Sequence, residues 1–596
     1  MKIKLFLTLL ICLSLTASGS TTITGPNVSG TWTLAGSPYL VQASIMVPSG
    51  STLTIEPGVI VNFQGHYKFL ILGQLLAIGT SADSIIFTAS NTSTGWYGVR
   101  FDNTTVSSDS SKLVFCKIEW GKANGTGNDA FGGGIYINNF SKIIIKNCLI
   151  RNNTSLGAGS GISCISSNPI ISYNSIINNS SYGGIYCNGS NPLIVHNTIN
   201  YNVSSSGGGI VTSNCYPIIS YNTISYNTSS SAGGGIYCTT NSGITMITNN
   251  IITHNTATSY NAGGIYIELC GAVIKNNIIS YNTALNGWGG GINCTLNHRS
   301  ILITNNLISN NSALGGGGMI LSNNDSTAFI SNNAITNNST SNASTGGGIQ
   351  ISSTKSTIIN NTIANNSTPG NGGGISFSTS TNLSLQNCIL YGNNATQSGS
   401  QIYTADEATD PNFYYCDIQG GSAAFGLNGT FYTGIYQNNI DVNPFFVSPS
   451  AGSGTSYNGT TANWALQGIS LCINSGDPSG TYPTTDLAGN TRVFGSAIDI
   501  GAYEYQGFVS VNNKDNINNT ITISPNPATT TLTIQTPLTS TIEIFNLEGQ
   551  CIKTLLKAQP TTTIDVSGMP AGIYFIKATS EKGTEVRKFV KQVGNR

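Results

Sequence analysis

Two landmarks recur in fixed order through the middle of the chain, and no other feature restricts its fold so severely. The first is Gly-Gly-Gly-Ile, at 132–135, 207–210, 233–236, 289–292, 346–349 and 372–375, with close variants at 159–162, 183–185, 263–265 and 316–319. The second is Asn-x-Ile/Leu-x-x-Asn, starting at Asn147, Asn174, Asn197, Asn222, Asn250, Asn277, Asn306, Asn333 and Asn361, with a degenerate copy at Asn387. The nine steps from Ile135 to Ile375 set a mean period of about 27 residues. Between the landmarks lie short β-branched runs such as 143–146 and 272–275, too short for helices. Three such strands per repeat, divided by Gly, Asn and Ser turns, predict a right-handed parallel β-helix rather than βαβ units. Coils stacked at about 4.8 Å make ten repeats a rod roughly 50 Å long. Ile at a fixed coil position predicts an aliphatic ladder inside, and Asn predicts amide ladders at the turns. The Gly triplets supply positive φ or close approach between coils.

Composition supports this reading and excludes some partners. Charged residues make up only 8% of the chain and hydrophobic ones 39%, too apolar for a disordered protein, so Asn, Ser and Thr must keep it soluble. A formal net charge of zero offers no footprint for nucleic acid or for an anionic membrane surface. Residues 1–20 combine Lys2 and Lys4, an apolar run and small residues, the layout of a signal peptide, so export is expected. No later stretch is apolar for long enough to span a membrane. Cys164, Cys187, Cys238 and Cys294 share one repeat position, which reads as a ladder of small buried thiols. The expected organisation is a cap and first coils at 21–120, regular coils at 121–400, and last coils with a C-terminal cap at 401–509. A polar linker at 510–519 then leads into a separate all-β module of short strands at 520–596, read as a small immunoglobulin-like sandwich.

The repeats resemble the parallel β-helix proteins of the pectate-lyase-like superfamily over residues 40–505, and Asp486–Glu504 resembles the closing motif of many such bacterial surface proteins. The paired landmarks are also similar to the repeats of chlamydial polymorphic outer-membrane adhesins, with Ile or Leu here in place of Phe. Residues 520–596 resemble the type A sorting domain of the type IX secretion system. That likeness rests on Ser524-Pro525-Asn526-Pro527, Leu547-Glu548-Gly549-Gln550, Gly572-Ile573-Tyr574 and Lys588-Phe589-Val590-Lys591. It implies the type IX machinery as partner and a destination at the cell surface or outside. The sorting residues it singles out are Pro525, Asn526, Pro527, Gly549, Gly572, Tyr574, Lys588 and Lys591.

Fold alone does not establish an activity. Glycoside hydrolysis needs two carboxylates a few ångströms apart, and calcium-assisted lyases need several around the ion with a basic residue beside them. From 124 to 400 the acidic residues are Asp129, Glu268 and Asp325, too few and too scattered. His298 and Asp325 occupy equivalent positions and predict a surface ion pair. Acids cluster later, at Asp406, Glu407, Asp410 and Asp417 and then at Asp486, Asp499 and Glu504 with Arg492. Those last four are the catalytic candidates, with calcium as the only cofactor they would call for; turns and capping of the last coils are the competing use. Tyr201, Tyr226, His254 and Tyr281 align in successive coils, each two residues after the motif Ile. Strand alternation sends them inward to pack; facing outward they would suit polysaccharide or host-surface glycans. The reading that follows is a non-enzymatic adhesin or glycan-contacting rod, with a polysaccharide lyase or hydrolase and a purely structural envelope protein as alternatives.

Overall fold

The structure is a computed structural model describing residues 19–507 and 521–592, apart from 105–109, 241–242, 342–345, 380–382, 407–409, 430, 480–481, 547–549 and 581–582. The expected signal peptide up to residue 18, the linker, Glu407 and Gly549 therefore lie outside the described residues. The chain divides into two compact units, 1–507 and 508–596.

The first unit is the expected solenoid. One coil shows its logic: Ile236–Thr239, Ile244–Thr248, Ile251–Thr253 and the short Thr256–Ala257 follow one another around the axis. Each pairs in parallel with its counterpart one coil later, as in Ile236↔Ile265, Met246↔Val273, Ile251↔Ile278 and Thr256↔Thr283. Among the described residues the face that contains Ile251–Thr253 carries sixteen strands. The landmark Ile of every coil, Ile236, Ile265 and Ile292 among them, is fully buried, as are Ile247, Ile274 and Ile303 on the second strand series and Ile252, Ile279 and Ile308 on the third. The thiol ladder is inside as expected: Cys164 pairs in register with Cys187, and both are buried and free. Earlier coils widen this core with rings, where Phe63 stacks on Trp96 at 4.2 Å.

Glycine dominates the corner after each short strand, with Ala262, at φ 60°, and Ser160 as exceptions. Gly233 sits at φ 65°, and a Cβ on Gly234 would lie 2.5 Å from the carbonyl oxygen of Gly263 in the next coil. A larger side chain at Gly234 would hold the coils apart.

Asn forms two buried ladders. In the first, the Asn222 N–H and Nδ2 both donate to Asn250 Oδ1, at 2.9 and 3.0 Å, while Nδ2 also donates to Ile194 O of the preceding coil. The second Asn of the motif repeats this pattern through Asn179, Asn202, Asn227, Asn255 and Asn282. The ladder residues are not themselves left-handed. The residue before each of them is, such as Asn249 at φ 57° and Asn276 at φ 56°. Register corrects the motif at its ends: Cys148 and Cys388, rather than Asn147 and Asn387, occupy the ladder positions. The Cys148 N–H donates to Asn174 Oδ1 at 2.9 Å, and the Asn361 N–H donates to Cys388 Sγ at 3.5 Å.

The last part of this unit turns back along the rod. Residues from Phe446 to Ile500 pack Phe446, Trp464, Leu466, Cys472 and Ile500 against Ala364 and Ile389 on the sixteen-stranded face. Outer residues of that face are exposed in the middle coils, as at Ile251 and Ile278, and buried beneath this segment at Ala334, Thr336, Thr362 and Ala364. Among the described residues no helix is long and apolar enough to cross a membrane.

The second unit holds a three-stranded and a four-stranded antiparallel sheet over a core including Leu532, Ile534, Ile542, Ile576 and Phe589.

Candidate functional site

The aromatic file faces solvent, which overturns the inward packing expected from alternation. Tyr201 is 53% exposed and Tyr226 45%. The reason is backbone handedness. Ile199 points inward, but Tyr201 adopts φ 55°, and a left-handed residue at the corner reverses the direction alternation would give. Asn202 then turns back into the ladder. The rings stack on one another: Tyr201 on Tyr226 at 5.0 Å, Tyr226 on His254 at 4.8 Å and His254 on Tyr281 at 4.9 Å, all within 19° of parallel. Partial burial between its neighbours pulls the His254 imidazole below its ordinary pKa, favouring the neutral ring.

A second file stands on the other corner of the same face. Tyr173 stacks on His196 at 4.7 Å and His196 on Tyr221 at 5.0 Å, with the Lys146 ammonium 5.5 Å from the Tyr173 ring centre. The sequence carries a signal for it, since each of these residues immediately precedes an Asn landmark. Between the two files runs a strip one short strand wide, with Ser175, Ile177, Thr198, Asn200, Ile251 and Ile278 on its outer surface. Because stacking covers the ring faces, the files offer edges, phenol hydroxyls and imidazole nitrogens along their length, and a free face only at an end. The strip is closed at one end, where Tyr281 Oη donates to Asn458 Oδ1 at 3.0 Å. Beyond that point the returning segment takes the strip's place.

The four catalytic candidates do come together, in the returning segment and the turns just after it, which sit on the flank of the coils at Asn332 and Thr362. Asp486 and Asp499 are fully buried and Arg492 and Glu504 nearly so. The carboxylates accept backbone N–H groups: Asp486 from Asn490 and Glu504, Asp499 from Asn474 and Tyr505, and Glu504 from Phe494 and Asp499, at 2.6–3.0 Å. Arg492 Nη2 donates to the carbonyls of Asp499 and Gly501. Burial pushes the Asp499 carboxyl up to about 6 and that of Glu504 up to about 7, and lowers the Arg492 guanidinium against the pull of the three acids. The cluster ties the turns at 474, 486, 494 and 505 together. Asp417 is buried elsewhere, accepting from Cys472 Sγ at 3.2 Å, and burial pushes it up to about 6. Among the described residues no three His, Cys, Asp or Glu side chains converge to hold a metal ion. His298 and Asp325 form the expected exposed pair, at 2.5 Å.

In the C-terminal unit the described residues that the resemblance singles out gather at one edge. The Val590 N–H donates to Asn526 Oδ1 at 2.9 Å and Asn526 Nδ2 to Lys588 O at 3.2 Å, which pins the turn holding Pro525 and Pro527 to the last strand. Gly572 pairs with Lys591 and Tyr574 with Phe589, whose rings stack at 5.4 Å. Lys591 is buried and Lys588 exposed.

Comparison with known proteins agrees with this anatomy. The family described as right handed beta helix region matches residues 12–199 and 133–308, and the family described as secretion system C-terminal sorting domain matches 522–592. No curated protein matches the chain. Among solved structures it is similar to a point mutant of the periplasmic alginate epimerase AlgG. Identity is 12%, over 68% of this chain and 85% of that one, at a TM-score of 0.32, a likeness too distant to carry an argument. The chain is a right-handed parallel β-helix protein that ends in a C-terminal sorting domain of the type IX secretion system.

Proposed function

We propose that the exported protein is a surface rod that contacts polysaccharide along the strip between its two aromatic files, without turning it over. One observation carries the reading. Past Asn458 the protein's own chain, from Tyr457 back to Ser450, follows the same corner from coil to coil, so the bare strip continues a path that a linear polymer can take along the rod. Tyr hydroxyls on rings already locked in a stack contact a ligand with little entropy left to lose. Sugar hydroxyls also find Ser, Thr and Asn side chains across the strip. A lyase or hydrolase is disfavoured because the clustered acids are buried beneath the turns from 486 to 505, with their oxygens accepting backbone N–H groups.

The test is to incubate the full exported chain with plant, algal and host polysaccharides, with and without calcium, recording both retention and release of reducing or unsaturated ends. Retention without product, weakened by Tyr226→Ala and by Tyr173→Ala, is the expected result. Product formation would replace the rod with an enzyme.

A further inference from the structure

The corner that carries Tyr201 to Tyr281 continues through Asn310, Asn337 and Asn365 and reaches Gly392. The three amides hold the returning segment: Nδ2 of Asn310 donates to Tyr457 O at 2.6 Å, that of Asn337 to Gly452 O at 2.8 Å and that of Asn365 to Ser450 O at 3.1 Å. Gly392 has no side chain to do the same, and a Cβ there would lie 2.2 Å from Asn365 Oδ1. At this point an open hollow of about 620 Å³ lies between the segment and the last coils.

The lining has a consistent chemistry. None of its side chains is charged. Trp464 and Phe446, edge to face at 5.2 Å and both buried, contribute to the hollow from the returning segment. Tyr391 lines it from the solenoid, and Phe445 is held at φ 49° with its side chain 39% exposed. A bulky residue kept left-handed and exposed is a costly arrangement for packing alone. Polar capacity remains around these rings. The Asn394 side chain has no protein partner among the described residues. Asn443 accepts the Phe445 N–H through Oδ1 and so keeps Nδ2 for a ligand.

Exposed aromatic surface beside unengaged amides, with no charge, is the chemistry that recognises a sugar ring: its apolar face lies on an aromatic and its hydroxyls meet the amides. A carboxylated sugar would find no cation here. We infer that this hollow binds an uncharged saccharide unit of about disaccharide size, at a site separate from the strip. The volume falls within the range of small-ligand sites, roughly 300–1,000 Å³.

The experiment titrates the full exported chain with cellobiose, maltose, lactose, N,N′-diacetylchitobiose and digalacturonate, using saturation-transfer NMR and calorimetry. At least one neutral disaccharide binds and digalacturonate does not. Phe445→Ala and Asn394→Ala, both at exposed side chains, each weaken that binding about tenfold with the melting temperature unchanged, while Tyr226→Ala leaves it intact. The inference is overturned if no neutral disaccharide binds, if digalacturonate binds as well, or if both hollow variants bind like the parent. Loss of the disaccharide through Tyr226→Ala alone would also overturn it, moving the sugar to the strip and leaving the proposed rod standing. Loss through Phe445→Ala in a protein that retains no polymer would uphold the hollow and sink the strip.

Discussion

Each Asn in the buried ladders joins three coils. Asn282 Oδ1 accepts the N–H and the Nδ2 of Asn255, and its own Nδ2 donates to Ile252 O and to Asn311 Oδ1, at 2.8–3.0 Å. Asn282→Ala therefore strands a buried N–H and a buried carbonyl, at a cost of about 1–3 kcal/mol for each group. Tyr226→Ala removes exposed stacking on two sides and costs about 1 kcal/mol. Urea unfolding should separate the two variants clearly; equal losses would mean that the ladder is not what holds the corner. The buried acids add a pH effect at the same scale. Asp499 and Glu504 titrate at about 6 and about 7 when folded, against roughly 4 when unfolded, so the native state binds the extra protons in between. Stability must then fall as pH rises from about 4 to about 7. The melting temperature of the exported chain should drop over that interval, and Glu504→Gln should flatten the drop; a rise with pH would contradict the burial of these groups. How much of this was legible differs by residue. The Asn periodicity announced the ladders because a buried amide needs the same partner in every coil. The outward turn of Tyr201 was hidden because it depends on one positive φ, which the Ile199 alternation does not reveal. Tyr173, His196 and Tyr221 are readable from their place before the Asn landmark.

At the scale of the element, the returning segment from Phe446 to Ile500 is a side strap on a repetitive wall. Its residues follow no period, so its path and the hollow beneath it could not be read from sequence, whereas each coil announced itself by its Gly and Asn landmarks. Trp464 anchors it, buried against Phe446 with Nε1 donating to Gly459 O at 3.4 Å. Trp464→Ala should remove about 3–5 kcal/mol of packing locally. Because each coil of a solenoid touches mainly its neighbours, the damage should stay local. Hydrogen exchange is expected to rise over residues 450–459 and on the face at 334–336 and 362–364, with residues 175–280 unchanged. Faster exchange throughout 175–280 would show that the strap stabilises the entire rod.

The two units carry separate assignments, delivery for one and contact for the other, and that separation can be tested on the whole molecule. The sandwich has its own core and its own hydrogen-bonded ends, with Ala528 N–H donating to Val590 O and Gln592 N–H to Ala528 O, both at 2.8 Å. The last coil of the solenoid is covered by its own rings, Phe413 packing with Phe425, Tyr432 and Tyr436, so this unit too has a core of its own. Removing 520–596 should leave a folded rod that reaches the periplasm and stays there, because the edge formed by Asn526, Lys588 and Lys591 is what the secretion machinery would read. Fractionation of cells expressing the shortened chain, with protease accessibility of the intact cells, measures this directly. A milder change, Asn526→Ala, removes the two bonds that pin the Pro525 turn to the last strand and should reduce display without unfolding the rod. Full surface display of the shortened chain would mean that the export address lies in the solenoid, and the division of labour between the two units would fail with it.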